Sequence, residues 1–568
     1  MKRIPFLTLA AFAAVFLLAS CGNKGGKSDL HIPKDAMFVM YVKTSSLTSK
    51  LSWDEIKSSE WFKEAYQENR DSLEKKIMEN PEASGIDMKS DFAMYMKKQG
   101  KSGLMVVEGK IKNAKDFETF LTKQNASAKI EKSGDLQYAA DGGSLVSWND
   151  KNFMFMSNAD LPDQNMMMPS EEGDYDNYED RSANKFSKDS LLLFTKNLLD
   201  LDGDEKLDDD DRFSSMLGEK GDLHIWMNSE QYMGAVGAGM LSMFKFGDLL
   251  KDNVSTITLD FADGQIAMKS KQFYGEEMEK LMESYKSKSV DASLVNRIPS
   301  QDVVAALVMN YDPTWLKEFF KKVGLDGIVN GYLGRIGYSL DELISATGGQ
   351  FLASISDFKM VTKEVTMPAY YEGAEPYTYT SQEPEMQVVV AASVNNKAAF
   401  DKLVGIAKKN MDNADTAFSY KTTNEWFVAG NHMETVDKFL AGGNNKLPFA
   451  DKISGHPFGM YMDLQRIMKG IPSKNASDSA FMNIALQTWQ DVIGTGGEFK
   501  DGVMTGEFVV NMVDKKTNSL KQLNQFAEKM HAASKSARRS FDNEVMIDSI
   551  APPAELPKGV EIAPAEQR

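Results

Sequence analysis

An acidic stretch near residue 200 carries the strongest metal-binding pattern in the sequence. Positions 1, 3, 5 and 12 of an EF-hand loop supply oxygen ligands, and here these positions hold Asp200, Asp202, Asp204 and Asp211. Position 6 is Glu205, where such a loop has Gly. The pattern predicts a Ca²⁺ site at the four aspartates, with an acidic, solvated linker between helices as the alternative.

Other patterns that support catalysis are missing from the sequence. Its five histidines show neither an HExxH sequence nor close pairing, and no Gly-x-Ser-x-Gly sequence occurs. Met233, Met240 and Met243 share one apolar helical stretch. Because Met side chains adapt to irregular surfaces, this stretch predicts either a groove for a hydrophobic ligand or partner, or a soft core between helix and sheet.

Cys21 is a candidate for lipid attachment. Lys2 and Arg3 precede an apolar run from Ile4 to Leu18, which has the length of a secretion signal and is short for a membrane span. The run ends in Leu-Ala-Ser-Cys-Gly, which resembles the bacterial lipobox, where the Cys is lipidated and the chain is cut before it. Cys21 is the only Cys, so the mature chain is predicted to contain no disulfide and no Cys-based metal site.

The net charge argues against nucleic acid as a partner. The full chain has 65 Lys and Arg against 82 Asp and Glu, a formal charge of −17. Removal of residues 1–20 takes away Lys2 and Arg3 and leaves 63 − 82 = −19. A chain this acidic repels polyanions unless it has a separate basic patch, and the sequence shows none of any size.

Four segments recur in the same order in the two parts of the chain. Residues 31–42 match 297–308, beginning with Ile-Pro before an apolar run. Residues 105–113 match 388–396, residues 223–228 match 458–463, and residues 261–266 match 499–504. The last pair contains Asp-Gly between alternating apolar residues, which is typical of a β-hairpin. The order of these matches predicts an internal duplication.

Hairpins and amphipathic helices in each half predict an α+β fold, with two homologous halves that are mostly antiparallel sheets with helices packed on one face. The predicted organisation is a lipoprotein signal peptide at 1–20, a flexible tether at 21–29, repeats at 30–290 and 294–530, and an extended tail at 531–568. The sequence leaves open whether the halves face each other across a cleft or form one continuous sheet.

A lipobox Cys, an Ile-Pro strand opener soon after it and a second Ile-Pro opener near mid-chain together resemble a family of Bacteroidetes lipoproteins. That family is classed only as a domain of unknown function, so the resemblance implies no activity and no catalytic residues. In those bacteria periplasmic O-glycosylation favours Asp followed by Ser or Thr and a small or apolar residue. This resemblance implies glycosylation at Ser72, Ser190, Thr416, Ser479 and Ser549.

These observations together predict a membrane-anchored lipoprotein of the cell envelope, on the outer membrane, with its periplasmic or surface face left open. We expect a noncatalytic binding module whose partner is an envelope protein or a hydrophobic ligand. One alternative is a structural scaffold of an envelope complex, with residues 159–187 and 361–385 as contact loops. A second is an enzyme with carboxylates converging in a cleft between the halves. No cofactor beyond the Ca²⁺ is predicted.

Overall fold

The computed structural model shows a chain built around one large antiparallel sheet. It describes residues 26–550 except 70–71, 101, 125–128, 160, 162–184, 237–244, 287, 368–376, 411–417, 443–444 and 474–475. All statements below concern this described part of the chain. No helix within it is long and apolar enough to cross a bilayer.

The strands alternate with helices along the whole chain. In the first half they are β1 Ala36–Val42, β2 Phe92–Gln99, β3 Ser102–Lys110, β4 Glu131–Ser133, β5 Leu136–Asp141, β6 Ser144–Trp148, β7 Asn152–Ala159, β8 Leu223–Asn228, β9 Val254–Ala262 and β10 Gln265–Phe273. In the second half they are β11 Val303–Asn310, β12 Thr347–Met367, β13 Tyr377–Val394, β14 Ser419–Thr422, β15 Trp426–Gly430, β16 Phe458–Asp463, β17 Trp489–Lys500 and β18 Val503–Met512.

The helices of the first half lie between these strands. They are α1 Thr44–Lys50, α2 Trp53–Ser58, α3 Glu60–Glu68, α4 Ser72–Glu79, α5 Ala114–Gln124, α6 Lys188–Leu199, α7 Asp211–Gly218, α8 Ser229–Val236, α9 Phe246–Leu250 and α10 Glu276–Glu283. Those of the second half are α11 Ala292–Val295, α12 Pro313–Val323, α13 Asp326–Arg335, α14 Leu340–Ala346, α15 Lys397–Asn410, α16 Met433–Leu440, α17 Ala450–Ile453, α18 Leu464–Gly470, α19 Ala476–Thr488 and α20 Ser519–Ile550.

The pairing of β10 with β18 joins the two halves edge to edge. From β10 outward the pairing order is β9, β8, β1, β2, β3, β7 and β6, and from β18 outward it is β17, β16, β11, β12, β13, β15 and β14. Strands β5 and β4 extend the first side only. The sheet is therefore continuous through the junction, and its strand order repeats on either side.

A local twofold axis passes through this junction. Lys269 of β10 lies opposite Glu507 of β18, and each is the fifth residue after the Gly of an Asp-Gly turn, Gly264 and Gly502. The predicted hairpins at these turns are confirmed, since β9 pairs with β10 and β17 with β18 across two-residue turns. Positions equally distant from the two turns thus face each other across the junction.

The register revises one of the four sequence matches by a single residue. Val39 lies opposite Trp226, and Ala306 lies opposite Tyr461, which is the matching position of β16. Val39 therefore corresponds to Ala306, whereas aligning the Ile-Pro pairs places it against residue 305. The strand pairing of the segments 223–228 and 458–463, and of 261–266 and 499–504, agrees with their alignment in the sequence. The one exception is a bulge between Gly496 and Glu498 of β17.

Helices and loops cover both faces of the sheet, so the predicted one-sided packing is wrong. In the first half one core contains Leu104 and Val106 of β3 with Phe213 of α7, and the opposite core contains Val107 with Phe117 of α5. The second half likewise has two cores, which divide the apolar residues of β13 between them. The physical reason is that neighbouring apolar residues on one strand point to opposite faces, and each face must be buried.

Both ends of the described chain differ from the predicted tether and tail. A Cβ added to Gly26 would lie 2.1 Å from the carbonyl oxygen of Ser214, so this backbone is already packed on α7, and the prediction of a flexible tether is wrong from residue 26 onward. The predicted extended tail is wrong over 531–550, which belongs to α20. This helix continues because no Gly or Pro interrupts it before Pro552.

Candidate functional site

A pocket of about 550 Å³ lies in the second half, where the β16–β17 ladder ends beside α18. A cavity of this size suits a small molecule, since ligand sites commonly enclose about 300 to 1,000 Å³. Residues whose side chains decide its chemistry are Tyr461, Asp463, Arg466, Lys469, Gln490 and Asp491. They come from β16, α18 and β17, and the two paired strands are separated along the chain by α18 and α19.

Asp463 connects the strand to the helix that forms one wall. It is the N-cap of α18, and its carboxylate accepts hydrogen bonds from the backbone N–H of Arg466 at 2.9 Å and from the Nε of the same residue at 3.0 Å. The guanidinium of Arg466 also pairs with Asp302. Arg466 is therefore shared between two carboxylates, and its charge is balanced inside the protein.

Asp491 lies directly opposite Asp463 in the β16–β17 ladder. Opposite residues of an antiparallel pair point to the same face, with Cβ atoms about 5 Å apart. Asp491 is only 5% exposed, and its Oδ1 accepts a hydrogen bond from Asn511 at 2.7 Å. Within the described chain no Lys, Arg or His forms an ion pair with Asp491. The pocket thus contains a buried carboxylate whose charge is not balanced by a direct cation.

Tyr461 provides an aromatic surface beside these carboxylates. Its ring stacks on Phe449 with centroids 4.0 Å apart, and its hydroxyl donates to Asp463 at 3.3 Å. Burial raises the pKa of the Tyr461 phenol well above its usual value, and the charges of Asp463 and Asp491 raise it further. The phenol therefore remains a neutral hydrogen-bond donor.

The pocket is lined by acidic, basic, amide and aromatic side chains. Among its described lining residues there is no Ser, Thr, Cys or His, the side chains that most often act as nucleophile or proton shuttle. Lys469 lies on α18 three residues after Arg466, so both basic groups face the same side of the helix. The arrangement places acidic groups on the strands and an exposed positive charge on the helix.

The acidic residues predicted to bind Ca²⁺ lie in a different part of the molecule. Asp200 ends α6, Asp202 caps a 3₁₀ turn at Gly203–Glu205 by accepting from the Gly203 N–H at 2.8 Å, and Asp211 begins α7. In the described residues no group of three or more His, Cys, Asp or Glu is arranged to hold a metal ion. The structure does not bring the four aspartates together, and Ca²⁺ binding there stays a prediction.

The remaining predicted residues are scattered. Cys21, Thr416, Met240 and Met243 lie outside the described residues. Ser72, Ser190 and Ser479 lie in α4, α6 and α19, and Ser549 lies in α20, so the glycosylation and Met-groove predictions remain untested.

Four of the five histidines contact separate partners. His31 bonds to Glu108 and His531 to Glu64, each at 2.7 Å, His224 lies 3.3 Å from Thr258, and His456 bonds to Glu498. His432 precedes α16 as its N-cap residue. The histidines therefore do not form a common site.

A second charged cluster, in the first half, holds α1 against the sheet. Asp222 is fully buried and accepts hydrogen bonds from Lys50 at 2.7 Å, from the hydroxyl of Ser46 at 2.6 Å and from the backbone N–H of Phe261 at 2.7 Å. Lys50 also pairs with Asp260. Because every partner of Asp222 is within the protein, this cluster is assigned a structural role.

Residues 30–172 match the family model of a domain of unknown function, DUF4836. A domain of unknown function is thus present in the chain. The matched segment includes β1 to β7, and the pocket lies outside it. No curated protein and no solved structure matches the chain.

Sequence reasoning missed the pocket because Asp463 and Asp491 are separated along the chain and neither belongs to a recognised motif. A usable signal was present in the internal matches. The last pair of the β8–β9 ladder is Asn228 with Val254, and the last pair of the β16–β17 ladder is Asp463 with Asp491. The carboxylates are present in only one of these two matching strand pairs. The fold therefore does not require a charge at this position.

Proposed function

We propose that this chain is an exported lipoprotein whose body is a noncatalytic binding module for a small polar ligand. The observation that carries the proposal is the pocket beside α18, with a buried carboxylate that forms no ion pair within the described chain. The expected ligand is therefore polar rather than hydrophobic, because most of the lining side chains are charged or amide-bearing.

The test is retention of a ligand during purification from the native envelope. Val513 lines the pocket and is 44% exposed, so Val513→Trp should obstruct the pocket without disturbing a core. Leu193→Trp, at a residue that is 55% exposed on α6, is the matched control. Native mass spectrometry should find a small molecule on the wild type and on Leu193→Trp but not on Val513→Trp. Equal retention by all three proteins would reject the pocket as the binding site.

The anchor is a separate part of the proposal and rests on the residues around Cys21. Gly26 is packed on α7, so residues 21–25 are the only chain between a lipid on Cys21 and the folded body. Five residues span at most about 17 Å, which would hold α7 near the membrane surface. Intact mass should show a chain that begins at Cys21 and carries lipid. A mass that retains residues 1–20, or that lacks lipid, would reject the anchor.

We also infer that the two halves arose by duplication. Support comes from the repeated strand order and from the local axis between Lys269 and Glu507. One half then retained a neutral pair at the end of the ladder, while the other acquired the carboxylates of the pocket. Under this inference the halves share a fold but not a ligand.

A scaffold role is the second candidate, and the β12–β13 hairpin favours it. Beyond Ser356 and Gln387 the two strands continue to pair from Lys359–Glu385 to Met367–Tyr377, with most side chains exposed and no third strand beside them in the described chain. Two-stranded ribbons alone are marginally stable. Replacing residues 360–384 with a short Asn-Gly turn should remove a copurifying protein if the hairpin is a contact arm, and should leave ligand retention unchanged.

A further inference from the structure

We infer that the ligand of the pocket carries a protonated amine, which Asp491 accepts. This inference rests on the proposed function, because it names the ligand class of the same pocket. Arg466 pairs with both Asp463 and Asp302, and Asp491 has an amide as its hydrogen-bond partner.

A carboxylate in this position is costly without a cation. Asp491 is 5% exposed and faces a second carboxylate across the ladder, and like charges directly opposite one another destabilise a sheet. Lys515 interacts electrostatically with Asp491, but its Nζ contacts Asn511 at 3.5 Å and forms no ion pair with Asp491 within the described chain. Burial lowers the pKa of Lys515, the charge of Asp491 opposes that shift, and the nearby charge of Lys452 lowers the pKa further. A cationic group from a ligand would supply the missing partner.

The first half shows that the fold does not need this charge. At the corresponding end of the β8–β9 ladder, Asn228 faces Val254, and that half folds with the same strand order. A carboxylate that is unnecessary for folding and costly when unpaired is better explained by recognition than by stability.

The helix α18 forms the wall of the pocket opposite Asp491, and its charge indicates a second group on the ligand. Lys469 is exposed and has no hydrogen-bond or ion-pair partner within the described chain. With Gln490 it faces the same pocket. A zwitterionic molecule fits this charge distribution, with its amine toward Asp491 and an anionic group toward Lys469. Free amino compounds, amino sugars and ethanolamine headgroups share this amine chemistry.

The experiment measures binding of paired probes by calorimetry to the full mature protein. Glucosamine is compared with glucose, and phosphoethanolamine with inorganic phosphate, so that each pair differs in the presence of an amine. Asp491→Asn removes the charge at nearly constant shape. Asp501→Asn is the matched control: the residue lies in the next turn, its side chain is 86% exposed, and its φ of 52° is a conformation that Asn tolerates.

We expect the amine-bearing probes to bind the wild type and Asp501→Asn equally and to bind Asp491→Asn at least tenfold more weakly, as loss of a charge-assisted hydrogen bond predicts. Lys469→Gln, at an exposed position, should weaken phosphoethanolamine but not glucosamine. Failure of both amine probes to bind, or equal binding to Asp491→Asn, overturns the inference.

The two proposals fail in different ways. If glucose and glucosamine bind equally well and both are blocked by Val513→Trp, the pocket remains a binding site but the amine inference is wrong. If the native ligand is retained by Val513→Trp, the proposed function itself is wrong. Preference for phosphoethanolamine over glucosamine would point to a lipid headgroup as the source of the amine.

Discussion

Acid should destabilise the first half of this protein through one buried histidine. His224 of β8 is fully buried, and its Nε2 has no hydrogen-bond partner within the described chain. Burial lowers the pKa of the imidazole to about 4, and the positive charge of Lys43 contributes to this shift. Exchanging His224 for Leu removes the titrating group and keeps a buried side chain of similar size.

The direction of the stability change follows from the pKa values of His224 in the folded and the unfolded chain. The pKa of histidine in the unfolded chain is about 6.5, so as the pH falls the unfolded state binds the proton first. Stability is therefore fully present above about pH 6.5 and is lost progressively toward pH 4. At pH 5 this linkage amounts to about 2 kcal/mol, and it approaches about 3 kcal/mol at pH 4.

Urea denaturation of the wild type and of His224→Leu at pH 7.5 and pH 5 measures the effect. Burial raises the pKa of Asp208 to about 6, so Asp208 titrates in the same pH range. Its effect on stability is opposite, because the folded state binds this proton more tightly than the unfolded state does. It is present in both proteins, so comparing the two at each pH cancels its contribution. The variant should gain about 2 kcal/mol relative to the wild type between pH 7.5 and pH 5. A stability difference that is the same at both pH values would refute the reasoning.

Two further predictions concern the first half. Lys50→Met should lower the free energy of unfolding, measured by urea denaturation, by about 3 kcal/mol, because it leaves the buried carboxylate of Asp222 without a cation. Lys57→Met, at a surface pair, is the control and should lower it by less than about 1 kcal/mol. If Cys21 is lipidated, a spin label on Ser215→Cys in α7 should respond to lipid-soluble relaxation agents. Inserting ten Gly-Ser residues into 21–25 should abolish that response, and an unchanged response would contradict the short tether.

Much of the local structure was predictable from the sequence. The Asp-Gly turns identified both hairpins, because only a few residues adopt the backbone conformations of a two-residue turn. The helix around Trp53 and Phe62 was also predictable from the spacing of its bulky residues, although it divides into α2 and α3 at Ser59. The predicted extended tail is wrong over 531–550, because the prolines lie only beyond residue 551 and the segment before them contains no Gly or Pro.

Packing was less predictable than the elements themselves. A strand with apolar residues at successive positions, such as Leu104 to Val107, indicates burial but not which layer covers each face. Long-range partners decide part of this, because α7 covers one face of β3 from a distant part of the sequence, whereas α5 covers the other face and follows β3 directly. The acidic stretch at 200–211 was similarly hard to interpret. It has the ligand spacing of an EF-hand loop, but in the structure carboxylates of this stretch cap short helical segments.

The sequence by itself determined the candidate export signal, the order of the strands and hairpins, and the recurrence of that order in two halves. These features depend on local composition and on short-range turn chemistry. Only the tertiary structure decided that the halves form one continuous sheet through β10 and β18, and only it placed Asp463 beside Asp491. Both results depend on strand pairing between distant segments, where a register change of one residue would turn a pocket carboxylate to the opposite face.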